Sequence, residues 1–350
     1  MTINTGQLAV LFTLLLTVGT ANAAEQAEPT FSAPTFIYAP DPDYPPTASQ
    51  RGQEGWVEFT LKVDAEGKPF DAEVVSASGG DLFISEARRS VLRSEWEPAR
   101  DNGIATEGTG SFLYRFTLED RPREVRRTFR NKYDLLTAMI ESQDNKSATE
   151  ALAELLQYDT LNNFETALLN VANFQYLTTF GGSDEDKLLL LRSALVYESY
   201  TGNVKEDEGF LPKPLRDSAM THLFMLEVNT RRYGDALVTY RRLEESGVDV
   251  TSLTTAVERI LGLQLDGTAF IQQGEANEFG IWRQRLLKPG VYIESTQGAI
   301  REVRFTCDRK HQSFLHQDGA EYTIPDSWGS CGMEIRADGG ARFTLEQFRD

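Results

Sequence analysis

The sequence predicts an α+β multidomain chain: a ββαβ unit, then an array of α-helical hairpins, then a small β-sandwich containing a disulfide. Three observations carry that expectation. Apolar residues alternate from Val57 to Val63 and again from Phe112 to Leu118, on either side of a helical stripe. From Phe129 to about Leu265 the apolar period is that of helices. Beyond Asp266 the chain returns to short alternating runs, Gly-rich turns and its two cysteines. A length of 350 residues, at roughly 150 per domain, fits two or three domains.

Composition narrows the function classes. With 35 Lys+Arg against 53 Asp+Glu, the formal charge is -18. Such a chain repels a phosphate backbone, so nucleic acid is not an expected partner. The same balance argues against adhesion to anionic lipid through a basic face. A hydrophobic fraction of 40% is that of a globular chain and excludes disorder over the whole length. Two Cys and three His are too few for iron–sulfur clusters or zinc-finger arrays.

At the N-terminus, Leu8 to Val18 is an apolar run interrupted only by Thr13 and Thr17. It is shorter than the roughly 20 residues a spanning helix needs. Small residues follow in Ala21-Asn22-Ala23, the pattern a signal peptidase reads. Residues 1–23 are therefore expected to be a cleaved signal peptide, exporting a chain that begins at Ala24, with the periplasm as its compartment. The first basic residue is Arg51, so the segment lacks the usual positive flank. The alternative is an uncleaved inner-membrane anchor over Leu8 to Ala24, and membrane attachment is expected only in that case. Residues 24–47, with Pro29, Pro34, Pro40, Pro42, Pro45 and Pro46, read as an extended leader.

Within residues 48–120 each element has its signal. Val57, Phe59, Leu61 and Val63 alternate with Glu58, Thr60 and Lys62, as in a half-buried strand. Asp64-Ala65-Glu66-Gly67 makes a turn into a second strand, Phe70 to Ser76. Asp81 is a candidate N-cap for a helix with Phe83, Ala87, Val91 and Leu92 on one face, closed before Pro98. Phe112, Tyr114, Phe116 and Leu118 then form a third strand.

This order, with particular residues, resembles the C-terminal domain of the TonB family of periplasmic energy transducers. The matching residues begin with Tyr44-Pro45, Gly52 and Glu54-Gly55, and continue with Val57, Phe59, Val63-Asp64 and Gly67. Val74-Val75, Ser76-Ala77-Ser78-Gly79, Ala87, Val91, Trp96-Glu97-Pro98-Ala99, Gly103 and the Phe112–Phe116 strand complete the set. The resemblance implies a domain that captures partner peptides by β-strand addition. It implies that the third strand, Ser111 to Leu118, is the edge on offer, with Phe112, Tyr114, Phe116 and Leu118 packed on the helix. Ser111, Leu113, Arg115 and Thr117 are then the partner-binding positions. Family transducers are similar in having an N-terminal membrane helix, a long periplasmic arm and this domain at the chain's end. Here the apolar segment reads as cleavable, the leader is short, and the chain runs on to residue 350.

Residues 125–265 carry successive helical stripes. They are Leu135, Leu136, Met139 and Ile140; Ala151, Leu152, Leu155 and Leu156; Leu168, Leu169, Ala172 and Tyr176; then Leu188, Leu191, Leu195 and Tyr197. Gly181-Gly182 and Thr201-Gly202-Asn203 are breaks, and Leu211-Pro212-Lys213-Pro214 opens a further helix. Tyr233-Gly234-Asp235-Ala236 to Tyr240 and Leu243 resembles the second helix of a tetratricopeptide repeat. Phe224 and Glu227 replace the Gly and Tyr of the helix before it, and an irregular antiparallel array is the competing reading.

Residues 266–350 read as strands at Ile281–Leu287, Val291–Glu294, Ile300–Cys307, Cys331–Arg336 and Ala341–Leu345, with turns at Lys288-Pro289-Gly290 and 337–340. Export favours a structural disulfide between Cys307 and Cys331, both on the inward positions of alternating stretches. Two separate buried thiols are the alternative.

Catalytic patterns are missing. Gly329-Ser330-Cys331-Gly332 lacks the spacing of a hydrolase elbow, and no phosphate-cradling Gly-rich loop occurs. His311 and His316 are spaced for opposite faces of a strand, which makes them poor ligands for one metal and fits exposure to solvent. Trp282, Tyr292, Tyr322 and Trp328 fit either sugar stacking or core packing. No enzyme activity, cofactor or metal is expected. The sequence points to an exported adaptor that binds envelope proteins through strand addition and the helical array, linked to outer-membrane transport. The rival readings are a membrane-anchored transducer subunit and an envelope glycan- or lipid-binding protein.

Overall fold

The structure, a computed structural model, describes residues 30–118, 124–158, 160–196 and 209–349. The expected signal segment, its cleavage point and the break at 201–203 lie outside the described residues.

The ββαβ order is present. Strands β1 (Phe31–Ser32) and β2 (Thr35–Tyr38) and the short helix α1 (Pro46–Arg51) lead into β3 (Gly55–Val63), β4 (Pro69–Ser78) and helix α2 (Asp81–Val91). Three short strands follow, β5 (Glu95–Glu97), β6 (Ala99–Asp101) and β7 (Ile104–Thr106), before β8 (Gly108–Phe116). The main sheet is antiparallel with order β4-β3-β8. The Asp64 turn forms as read: its Oδ1 accepts from the N–H groups of Glu66 and Lys68, and Gly67 sits at φ 80°. Asp81 is the first helical residue rather than the cap, which is Gly80. Its carboxylate still lies at the positive end of the helix dipole.

One sheet face packs on α2. Val57, Phe59, Leu61 and Val63 meet Phe83, Ala87 and Val91, with Phe112, Tyr114 and Phe116 from β8. The leader is extended but not unpacked, because β1 pairs with β6 and β2 with β5. Phe36 lies 5.5 Å from Trp96 and 4.9 Å from Phe112, while the Tyr44 hydroxyl donates to the Gln53 carbonyl (2.7 Å). Strand β3, expected to be half-buried, is covered on both faces: Trp56 and Thr60 are each 2% exposed. Its second face is covered by the remainder of the chain, which alternation within β3 cannot report.

Helices follow where the stripes put them: α3 (Arg127–Glu141), α4 (Asn145–Leu156), α5 (Asn163–Phe180), α6 (Asp184–Ala194), α7 (Lys213–Asn229), α8 (Tyr233–Glu245) and α9 (Thr254–Leu265). Side-chain caps fix several starts. Asp144 accepts from Ser147 N–H, Ser183 from Asp186 N–H, and Asn162 with Glu165 forms a capping box at α5. Consecutive helices pack as neighbours, α3 on α4, α5 on α6, α7 on α8. Gly234 has a local reason: a Cβ there would lie 2.1 Å from the Arg285 carbonyl oxygen, so α8 rests directly on a strand of the last region.

That region holds β9 (Phe270–Glu275), β10 (Ile281–Arg285), β11 (Gly290–Gln297), β12 (Ile300–Cys307), β13 (His311–Leu315), β14 (Ala320–Thr323), β15 (Cys331–Ala337) and β16 (Arg342–Phe348). They form two four-stranded antiparallel sheets, β10-β15-β12-β13 and β14-β11-β16-β9. Val303, Phe305 and Ile335 from one share a core with Val291, Ile293, Phe343 and Leu345 from the other. Cys307 and Cys331 stand opposite each other on β12 and β15 and form the expected disulfide. Trp282 is core, packed on Phe343 and stacked by Arg232. His311 and His316, expected to face solvent, are instead partly buried. His316 has a 2% exposed side chain beside Tyr322, and His311 is partly buried between Thr109 and Thr306.

Candidate functional site

Strand β8 closes one side of the sheet. It pairs with β3 from Gly108↔Val63 to Phe116↔Gly55, and no further strand joins it among the described residues. Phe112, Tyr114 and Phe116 pack toward α2, as the alternation requires, but the strand ends at Phe116 and Leu118, expected on the helix, is half-buried outside that core because Glu54 holds its N–H. Burial and the bond it makes to the Pro40 carbonyl hold the Tyr114 hydroxyl in place, and burial pushes its pKa up to about 12.

The opposite face carries the four expected partner-binding positions, and the structure separates them. Ser111 is exposed. It borders a cavity of about 600 Å³ between β8, α6 to α8 and β10. Leu113 is 2% exposed and belongs to the core of the helical region, so its side chain cannot read a partner. That is a correction. Burying a leucine is worth about 1.5–3 kcal/mol, and here the helices take it up. Arg115 and Thr117 are half-buried and line a second cavity of about 690 Å³ between the end of β8, the start of α3 and the start of α5.

The second cavity is built by two carboxylates that the sequence reading left without a role. Glu54, just before β3, accepts from Leu118 N–H (2.9 Å) and from Asn163 N–H (3.1 Å). It therefore ties the end of β8 to the first turn of α5. The Asn163 amide donates to the Phe116 carbonyl (3.2 Å) across the same junction. Glu165, whose side chain is fully buried, accepts from Arg126 N–H (2.9 Å) and Arg126 Nε (2.8 Å). Hydrogen bonding to this carboxylate raises the Arg126 pKa above its ordinary value. The Glu54-Gly55 pair stood out in the sequence, but the partners of Glu54 come from 64 and 109 residues away.

A second charged cluster fixes the sheet to the last region. Arg283 Nε donates to Glu334 (2.7 Å) and Arg283 Nη1 to Glu58 (3.2 Å), while Thr60 Oγ1 donates to Glu334 (3.2 Å). Arg304 reaches Glu73 (2.7 Å), Glu302 (2.6 Å) and Glu334 (3.3 Å), and Arg336 bonds Glu73 and Glu334. Burial raises the Glu58 pKa, with Arg283 opposing it. Burial lowers that of Arg336 to about 10. Among the described residues no group of acidic, His or Cys side chains is arranged to hold a metal ion, and no helix is long and apolar enough to cross a membrane.

The family described as Gram-negative bacterial TonB protein C-terminal matches residues 40–118, from just after β2 to just past the end of β8. Residues 40–118 are a TonB C-terminal domain. Protein tonB2 of Pseudomonas aeruginosa is 32% identical over 83 residues, which are 24% of this chain and 31% of that protein. The chain thus spans under a third of the length of that curated relative. The solution NMR structure of the Pseudomonas aeruginosa TonB CTD is similar at 26% identity, covering 26% of this chain and 92% of that one, with a TM-score of 0.22. The TonB C-terminal domain here is followed by the helices and the paired sheets, both of which pack against it.

Proposed function

We propose that this chain is a non-catalytic periplasmic adaptor whose TonB C-terminal domain takes up an extended segment of an envelope partner along β8, in the service of outer-membrane transport. The observation that carries the reading is the position of β8. It ends the sheet among the described residues, and a cavity lined by Arg115, Thr117 and Leu118 opens at its end. An edge strand presents main-chain donors and acceptors that any extended segment can satisfy. With Leu113 buried, selectivity falls to Ser111, Arg115 and Thr117. The helical region, read as hairpins of tetratricopeptide-like kind over 125–265, would hold a second partner. The paired sheets over 266–350, read as a sandwich, would brace the domain of 48–120.

Export is part of the proposal. An intact mass for the native protein that starts at Ala24 supports it, and one that retains Met1 to Ala23 returns the chain to an anchored form. The binding site is tested by placing a photoreactive side chain at Thr117 of the full chain and irradiating it in an envelope extract. Capture from Thr117 and not from the remote, exposed Glu294 on β11 is the expected result. Equal capture from both positions would remove β8 as the site.

A further inference from the structure

The cavity of about 600 Å³ over the sheet face turned away from α2 lies where the three parts of the chain meet. Its size falls within the range of about 300–1,000 Å³ of small-molecule sites. Thr60 and Ser111 of the main sheet form its floor, and Arg283 and Arg285 enter from β10. Asp235, Val238, Thr239 and Arg242 line it from one face of α8. Every carboxylate on the wall already has a cation. Glu58 and Glu334 accept from Arg283, Glu227 and Asp235 from Arg192, while Glu185 faces Arg232 at 3.5 Å and Glu275 binds Arg342. Two of the arginines have no such partner. Arg242 and Arg285 are partly buried, and neither side chain has a hydrogen bond or ion pair among the described residues. Burial is the main cause that holds the Arg242 pKa below its ordinary value, and the charge of Arg285 adds to it against Glu227, Glu245 and Asp235. Arg232, on the same wall with a 4% exposed side chain, also keeps its Nε without an acceptor among the described residues. Cations drawn out of water and set against one another destabilise a fold unless an anion joins them. Leu223, Val238 and Met333 give the cavity an apolar side.

We propose that this cavity binds a small organic anion, a molecule with one carboxylate or phosphate group held by Arg242 and Arg285 and an apolar body against Leu223, Val238 and Met333. The guanidinium fork matches either oxyanion with two parallel hydrogen bonds. The carboxylates of the wall do not compete for Arg242 and Arg285, because each is engaged elsewhere. A ligand seated here touches the TonB C-terminal domain, the helices and the paired sheets together. It therefore binds the folded chain alone and raises its resistance to heat. The proposal does not depend on strand addition at β8.

The test uses the full chain and four probes that share one apolar body, octanoate, octyl phosphate, octanol and octylamine, kept below micelle-forming concentrations and titrated by calorimetry. Octanoate or octyl phosphate should bind at least about tenfold more tightly than octanol, and octylamine more weakly still; the tighter of the two anions identifies the headgroup. The Arg242→Gln/Arg285→Gln variant should lose about tenfold or more of the anion's affinity and leave octanol unchanged. Val238→Glu is a second variant that keeps both arginines. It sets a carboxylate four residues before Arg242 on the same helix face, where the pair supports the helix and occupies the guanidinium. It should lose the anion as the double variant does, and it decides the matter alone if circular dichroism shows that the double variant does not fold. Melting of the parent chain needs no variant: the anion should raise Tm and the same concentration of octanol should not. Octanol binding as tightly as both anions, anion affinity unchanged in a folded variant, equal shifts of Tm, or no binding by any of the four overturns the proposal.

Discussion

Lowering the pH from 7 to 4 should loosen the join between the TonB C-terminal domain and the last region, through His311. Its Nε2 lies 3.0 Å from Thr109 Oγ1, at the start of β8, and its Nδ1 lies 3.1 Å from Thr306 Oγ1 on β12. Burial is the main cause that pushes the ring from 6.5 down to about 4; Arg304 and Lys62 add to it, while Glu334 and Glu302 oppose it. A ring whose folded pKa is depressed supports the fold when neutral. That support is complete above the unfolded value of 6.5 and is lost as pH falls toward 4, where the unfolded chain binds the extra proton. At about 1.4 kcal/mol per tenfold change in proton affinity, the whole effect reaches about 3 kcal/mol. Urea denaturation of the full chain at several pH values measures it. His311→Gln, which keeps polar contact with the threonines, should flatten the fall between 6.5 and 4. His316 is also pushed down by burial, but it is present in both proteins and cancels in the comparison. A His311 ring that titrates by NMR at 6.5 or above, or an unchanged pH slope in His311→Gln, would refute the reasoning.

Other expectations follow from the same contacts. Glu334→Ala leaves Arg283, Arg304 and Arg336 short of an acceptor in a largely buried cluster, and breaking such a cluster should cost about 3–5 kcal/mol, read by denaturation. Cys307→Ser with Cys331→Ser opens a loop with sequence separation 24 and should lower stability by about 3 kcal/mol, with reductant then having no further effect. Gly234→Ala should cost about 1–3 kcal/mol through its clash with the Arg285 carbonyl. Gly262→Ala, in α9 with open space around it, should instead raise stability by up to about 1 kcal/mol.

Elements whose pattern is local were legible in the sequence. The alternation from Val57 to Val63, the stripe Phe83 to Val91 and the helical stripes after Phe129 each report one buried face, and each appears where the period puts it. The order of elements and the Trp96-Glu97-Pro98-Ala99 string sufficed to point to the TonB C-terminal domain. What stayed hidden depends on a second covering partner. Leu113 alternates like an outward residue of the isolated domain, but the helical core claims it. Phe36 and Tyr44 sit among prolines, where nothing local signals that they pack on Phe112 and Phe83. Strand β9 escaped because its inward positions include Gln272, which pairs with Gln284 in the interior rather than presenting an apolar side chain. Glu54, Glu165 and Glu334 look like surface acids in an acidic chain, and their partners are distant in sequence.

Amide hydrogen exchange tests the central claim most directly, measured on the full chain alone and bound to the partner captured through Thr117. Strand addition replaces solvent at the outer groups of β8 with hydrogen bonds, so exchange should slow within Gly108 to Leu118 and along the cavity wall at α3. Slowing confined to the helices, with the amides of β8 unchanged, would contradict it.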